Sequence, residues 1–157
     1  MVSMSRPFEQ VYTVNDFWDM PRAGVADLDG APHVYRSIWR DDIDDWDPDN
    51  RFELSPLPPE ILALVLEDWA IWRRWEDAYY AHQTTDTTHP ALPGDRDRHN
   101  KLAPIVEKAL EIDPSARRVA IGTFRARGGG SIHSSIPGPR PPLEVRWDLV
   151  ESCGVAA

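Results

Sequence analysis

The densest run of chemically capable side chains is Asp41, Asp42, Asp44, Asp45, Asp47 and Asp49. Hard cations take several oxygen ligands at once, and Asp45-x-Asp47-x-Asp49 matches the opening of a calcium-binding loop. The match stops there. Asn50 stands where such a loop needs Gly, Pro56 where it needs Glu, and Pro48 stiffens the middle. Asp45, Asp47 and Asp49 are metal candidates on spacing alone, and a solvated loop of turn-forming Asp residues is the simpler expectation. No metal or other cofactor is expected.

Five histidines, His33, His82, His89, His99 and His133, offer no pair at i and i+4 on one helix and no His-Glu-x-x-His frame. His33 has the best local company. Asp27 and Tyr35 stand near it in sequence, so Asp27, His33 and Tyr35 are the catalytic candidates, with a carboxylate orienting a general base. Alternation along a strand puts His33 and Tyr35 on one face and Arg36 on the other. Gly128-Gly129-Gly130-Ser131 lacks the Gly-Lys-Ser/Thr and the following helix of a phosphate-binding loop. It reads as a connection between strands, with Arg125, Arg127 and Arg140 as anion contacts if it covers a ligand. Nucleophilic catalysis has little to work with. There is no Gly-x-Ser-x-Gly elbow, Cys153 stands alone near the end, and Ser131, Ser134 and Ser135 lie with His133 in a loop.

Seven tryptophans in 157 residues is the strongest compositional signal. Trp69, Trp72 and Trp75 follow one another at three-residue steps, with Tyr79 beyond. Such steps fan around a helix, so at least one ring should reach the edge of the buried stripe. Trp69, Trp72, Trp75 and Tyr79 are therefore the candidates for a ligand pocket or an interface, because large aromatic rings with a polar rim suit both.

A helix over 59–82 must carry them. Pro59 fits its first turn, and Ile61, Leu64, Val65, Trp69, Trp72, Trp75 and Tyr79 recur at helical spacing. Leu62, Leu66 and Ile71 widen the stripe until the first half is apolar nearly all round. The second helix or another subunit must then help the sheet to cover it, and this favours a homodimer. Leu102, Ile105, Val106, Ala109 and Leu110 predict the second helix within 95–112, where Pro104 either opens a short helix or lies inside a longer one.

Strands are predicted over 8–14, 24–28, 32–40, 51–57, 117–127 and 143–149. Asp29-Gly30 between two β-prone runs signals a hairpin, and 41–50 reads as a polar loop. The order ββββ-αα-ββ points to an α+β fold: an antiparallel sheet of about five to six strands with two helices on one face. One domain is expected over 1–157, with 1–7 and 152–157 as flexible tails.

The chain carries 26 acidic and 17 basic side chains, a net charge of −9, and its basic excess lies only beyond residue 113. That disfavours nucleic-acid binding, which needs clustered Lys and Arg. No apolar run reaches membrane-spanning length, and the polar start has no signal-peptide pattern. A cytoplasmic location is expected, and the preference for Arg over Lys suggests a bacterial source. These features favour a non-enzymatic binding or interaction module that uses an aromatic helix–sheet pocket or interface, its partner a small molecule, another protein or a second copy of the chain. A small enzyme built around His33 is the alternative. An acidic imitation of nucleic acid, binding a basic protein through 41–49, is the third reading.

Overall fold

A computed structural model describes residues 5–133 and 137–150. The expected tails lie largely outside these, as do Ser134, Ser135 and Cys153.

The fold is α+β, with six antiparallel strands and two helices. The main strands are β1 (Glu9–Phe17), β2 (Pro21–Leu28), β3 (Ala31–Ser37), β6 (Arg51–Pro56), β7 (Arg118–Ala126) and β8 (Leu143–Leu149). They do not form an open sheet. β8 pairs back onto β1 and closes a barrel in the order β1-β2-β3-β6-β7-β8. Between β3 and β6 lies a small hairpin of β4 (Trp39–Arg40) and β5 (Asp45–Trp46). Its turn and β5 fall in the stretch predicted as a loop, and β4 falls at the end of the strand predicted over 32–40.

Local chemistry explains the turns. Asp29 and Gly30 both have positive φ, 55° and 77°, which joins β2 to β3 through a tight hairpin. Gly128 and Gly129, with φ of 85° and 92°, end β7 in the same left-handed region. In β8, Leu143, Val145, Trp147 and Leu149 point inward while Glu144, Arg146 and Asp148 point out, as their alternation predicts.

An aromatic core fills the barrel. Tyr35, Phe52, Phe124 and Trp147 meet there at centroid distances from 5.4 to 6.0 Å. The polar ends of the rings are satisfied. Trp147 Nε1 donates to the Asp27 carbonyl at 3.1 Å, and the Tyr35 hydroxyl donates to the Thr13 carbonyl at 2.9 Å. Gly24 makes the second contact possible. A Cβ there would stand 2.2 Å from the Thr13 oxygen and 2.7 Å from the Tyr35 hydroxyl.

Helices α1 (Pro59–Tyr80) and α2 (Arg96–Ala109) lie outside the barrel, against β1 to β3. Val25 and Val34 on the outer strand faces pack with Leu57, Val65 and Val106. A second cluster joins Ile71, Leu102 and Ala91, with Leu64 against it. The first half of α1 is thus partly covered within the chain, by the barrel wall and α2; Val65 is buried, while Ile61, Leu62, Leu64 and Leu66 keep some exposure. Pro104 sits inside α2, the longer of the two helices considered. α2, with 14 residues, draws much of its stability from packing on the barrel and α1, since short helices are marginal alone. Neither is long and apolar enough to cross a membrane.

Candidate functional site

β1 has a wall on each side of it, the barrel interior and the helix layer, so both its faces are partly apolar. Its pairing with β2 shifts register between Val11 and Thr13, and twice more before Phe17. These bulges turn the end of the strand, where Asp16 and Phe17 reach the space beside α1. A cleft of about 380 Å³ opens there, walled by Phe17, Trp69 and Trp72, with Asp16, Asp68 and His99 on its polar side. A smaller lobe of about 180 Å³ adjoins it and shares Val14, Trp69 and Arg140 with it. Arg73 and Arg127 line that lobe as well.

Trp69 and Trp72 stack with centroids 4.9 Å apart and planes at 25°. Both rings are only half-buried. The Arg140 guanidinium lies 4.0 Å above the Phe17 ring and 6.0 Å from the Trp72 centroid. A cation over a π-face is favourable, and it places positive charge on the aromatic wall. Beside this wall, Asp68 from α1 and His99 from α2 approach to 2.7 Å through His99 Nδ1. The pair leaves His99 Nε2 without a hydrogen-bond partner among the described residues. It is one rung of a ladder between the helices, beside Glu67–Arg98 and Arg74–Asp95. Of the three, only Asp68–His99 lines the cleft.

Arg140, Pro141 and Pro142 line the smaller lobe, and Arg140 reaches the larger cleft as well. Arg73 Nη1 donates to the Glu76 carboxylate at 2.6 Å and to the Arg140 carbonyl at 3.0 Å. Glu76 also accepts from the Arg140 backbone N–H at 3.5 Å. Glu76 is buried, and that burial raises its pKa above the ordinary carboxylate value in spite of the Arg73 and Arg140 charges that oppose the shift.

Of the anion contacts expected, Arg127 and Arg140 come to the cleft and Arg125 does not. Arg125 lies 3.6 Å over the Phe8 ring and pairs with Glu144 at 2.7 Å, on the outside of the barrel. Of the four aromatic candidates, Trp69 and Trp72 form the wall, while Trp75 and Tyr79 are turned away. Trp75 is buried, donates from Nε1 to Thr88 at 2.9 Å, and stacks on Tyr79.

The expected catalytic group does not assemble. His33 is buried, faces inward with Tyr35, and its Nδ1 lies 2.7 Å from the Ala31 carbonyl of its own strand. Asp27 is on the opposite face, beside Tyr12, whose hydroxyl pKa is raised first by burial and then by Asp27. Tyr35 is sealed in the barrel core, and burial together with the Asp16 charge raises its pKa far above the ordinary value.

The metal candidates diverge too. Asp47 is buried within 4 Å of Arg40 and Arg51, Asp49 pairs with Arg51, and Asp45 accepts from the Trp46 N–H. No group of three or more His, Cys, Asp or Glu side chains is placed to hold a metal among the described residues. Of the 41–49 carboxylates, Asp47 is buried beneath the small hairpin, while Asp41, Asp42, Asp44, Asp45 and Asp49 are exposed on it.

Sequence reasoning missed Phe17, Asp16, Asp68 and His99. One signal was present: Asp68 interrupts the apolar stripe of α1 immediately before Trp69.

Comparison with protein-family models, with curated proteins and with solved structures finds no match to this chain.

Proposed function

We propose that this protein is a binding protein, and that the cleft between α1 and β1 holds a small molecule with a flat, unsaturated portion. The observation that carries this reading is the half-buried Trp69–Trp72 stack facing a cleft that also holds the Arg140 guanidinium. Tyr35, Phe52 and Trp147 in the barrel interior are fully enclosed. Trp69 and Trp72 are left with open faces in a concavity of a size typical for small ligands. The test is a fragment screen read by the indole N–H signals of the seven tryptophans. Flat fragments should move the Trp69 and Trp72 signals and leave Trp147 still. Hits that scatter over the surface, or none in the cleft, overturn the reading.

The Asp68–His99 pair favours a second reading, in which the same cleft does acid–base chemistry. A carboxylate on Nδ1 fixes the tautomer and leaves Nε2 free to take a proton. This replaces His33 as the candidate base. His99→Gln should then keep ligand binding and abolish turnover of any bound compound, followed by mass spectrometry. Equal turnover in both proteins removes the reading.

A further inference from the structure

The two lobes differ in chemistry as well as in size. The larger has the aromatic wall and, beside it, Asp16 and Asp68 as hydrogen-bond acceptors. The smaller is cationic, with Arg73, Arg127 and Arg140. Arg73 has its charge matched by Glu76. Arg127 and Arg140 form no ion pair among the described residues, although acidic side chains outnumber basic ones in the chain. Arg36 and Arg96 also form no ion pair among the described residues, but Arg127 and Arg140 stand together in one lobe, and that convergence makes it a place for an external anion. Guanidinium forks suit phosphate oxygens in particular.

We infer that the ligand is a nucleoside monophosphate, an assignment that rests on the binding reading above. The base lies in the larger lobe against Trp69 and Trp72. Its amino and ring N–H groups donate to the carboxylates of Asp16 and Asp68. The phosphate occupies the smaller lobe and takes the charges of Arg127 and Arg140. The shared residues Val14, Trp69 and Arg140 mark the junction, where the sugar passes. Stacking on indole is tolerant of base identity, because every base has a π-face. The carboxylates supply discrimination, since they reward bases that present donors and leave those without them unpaired.

The test is calorimetric titration of the full chain with AMP, GMP, CMP and UMP. Adenosine, ribose 5-phosphate and inorganic phosphate serve as the parts. At least one nucleotide should bind more than about tenfold tighter than any part, a difference of about 1.4 kcal/mol. Arg127→Gln with Arg140→Gln should lower its affinity by about tenfold or more and flatten its salt dependence. Trp72→Ala should weaken nucleotide and adenosine alike. Each variant is first checked for an unchanged circular dichroism spectrum, and Arg127→Gln alone serves if the double variant is unfolded. If no nucleotide binds more tightly than ~1 mM, or ribose 5-phosphate binds as well as AMP, or the arginine variants bind normally, the assignment is wrong. Should flat fragments still shift the Trp69 and Trp72 signals in that case, the binding reading stands and only the ligand class falls. With no fragment and no nucleotide in the cleft, both fall.

Discussion

The barrel interior and the cleft beside α1 are both built from large aromatic side chains, and the two treat them in opposite ways. Inside the barrel, Tyr35, Phe52, Phe124 and Trp147 meet mainly edge-on or tilted, and the hydroxyl and the indole N–H each reach a backbone carbonyl. In the cleft, Trp69 and Trp72 lie nearly parallel with their faces partly open, and their neighbours are charged. One arrangement uses up every contact a ring can make, while the other keeps contacts in reserve. Aromatic content alone does not separate a core from a site. The separating features are whether polar atoms are already satisfied and whether the opposite side of the ring is occupied.

That contrast can be broken by substitution. Trp147→Ala should cost about 3–5 kcal/mol, the range for emptying a fully enclosed aromatic position. A denaturant midpoint close to wild type would show that the interior is not the packed core described. Gly24→Ala should cost about 1–3 kcal/mol, because the new methyl has only the Thr13 carbonyl and the Tyr35 hydroxyl to displace, and the carbonyl is backbone. Trp72→Ala should cost only about 1 kcal/mol, in keeping with a half-buried ring. If its loss matched that of Trp147→Ala in equilibrium unfolding, the cleft would be a core after all.

The smallest effect is one of pH. The Glu76 pKa is raised in the folded chain by burial, above its ordinary value of 4.5. Folding therefore favours the protonated carboxyl. The contribution is complete below pH 4.5, where the unfolded chain is protonated too, and it fades as pH rises through the folded value. Against Glu76→Gln, which does not titrate, wild type should gain relative stability as pH falls from 7 to below 4.5. Denaturant curves at several pH values measure this, and a gap that stays constant or moves the other way removes the account of Glu76.

Much of the fold is legible in short-range pattern. The β8 alternation, the Asp29-Gly30 turn and the helical period of α1 each follow from one stretch of chain. Closure of the sheet is not legible in this way, because it depends on β1 meeting β8 across nearly the whole described chain. β1 did carry a hint, since apolar residues on both its faces mean two covered sides. The site was half legible. Trp69, Trp72, Arg127 and Arg140 were marked by type. Asp68 and His99 were not, because a carboxylate and an imidazole on different helices have no spacing to read. Arg125 was misplaced for a related reason. Within β7 its exposed side leads to Phe8, and alternation cannot tell which neighbour waits outside a barrel.

The seam between β1 and β8 is short, with Glu9 opposite Val145 and Gln10 opposite Glu144, whereas β7 and β8 are paired along the full length of β8. During synthesis, β1, β2, β3 and β6 emerge long before residues 143–149. Until β8 arrives, β1 has an open hydrogen-bonding edge, and the aromatic interior lacks Trp147. The nascent chain must therefore wait with a sheet edge that other chains could join. Its last described strand is at once the lid of the core and the protection against aggregation.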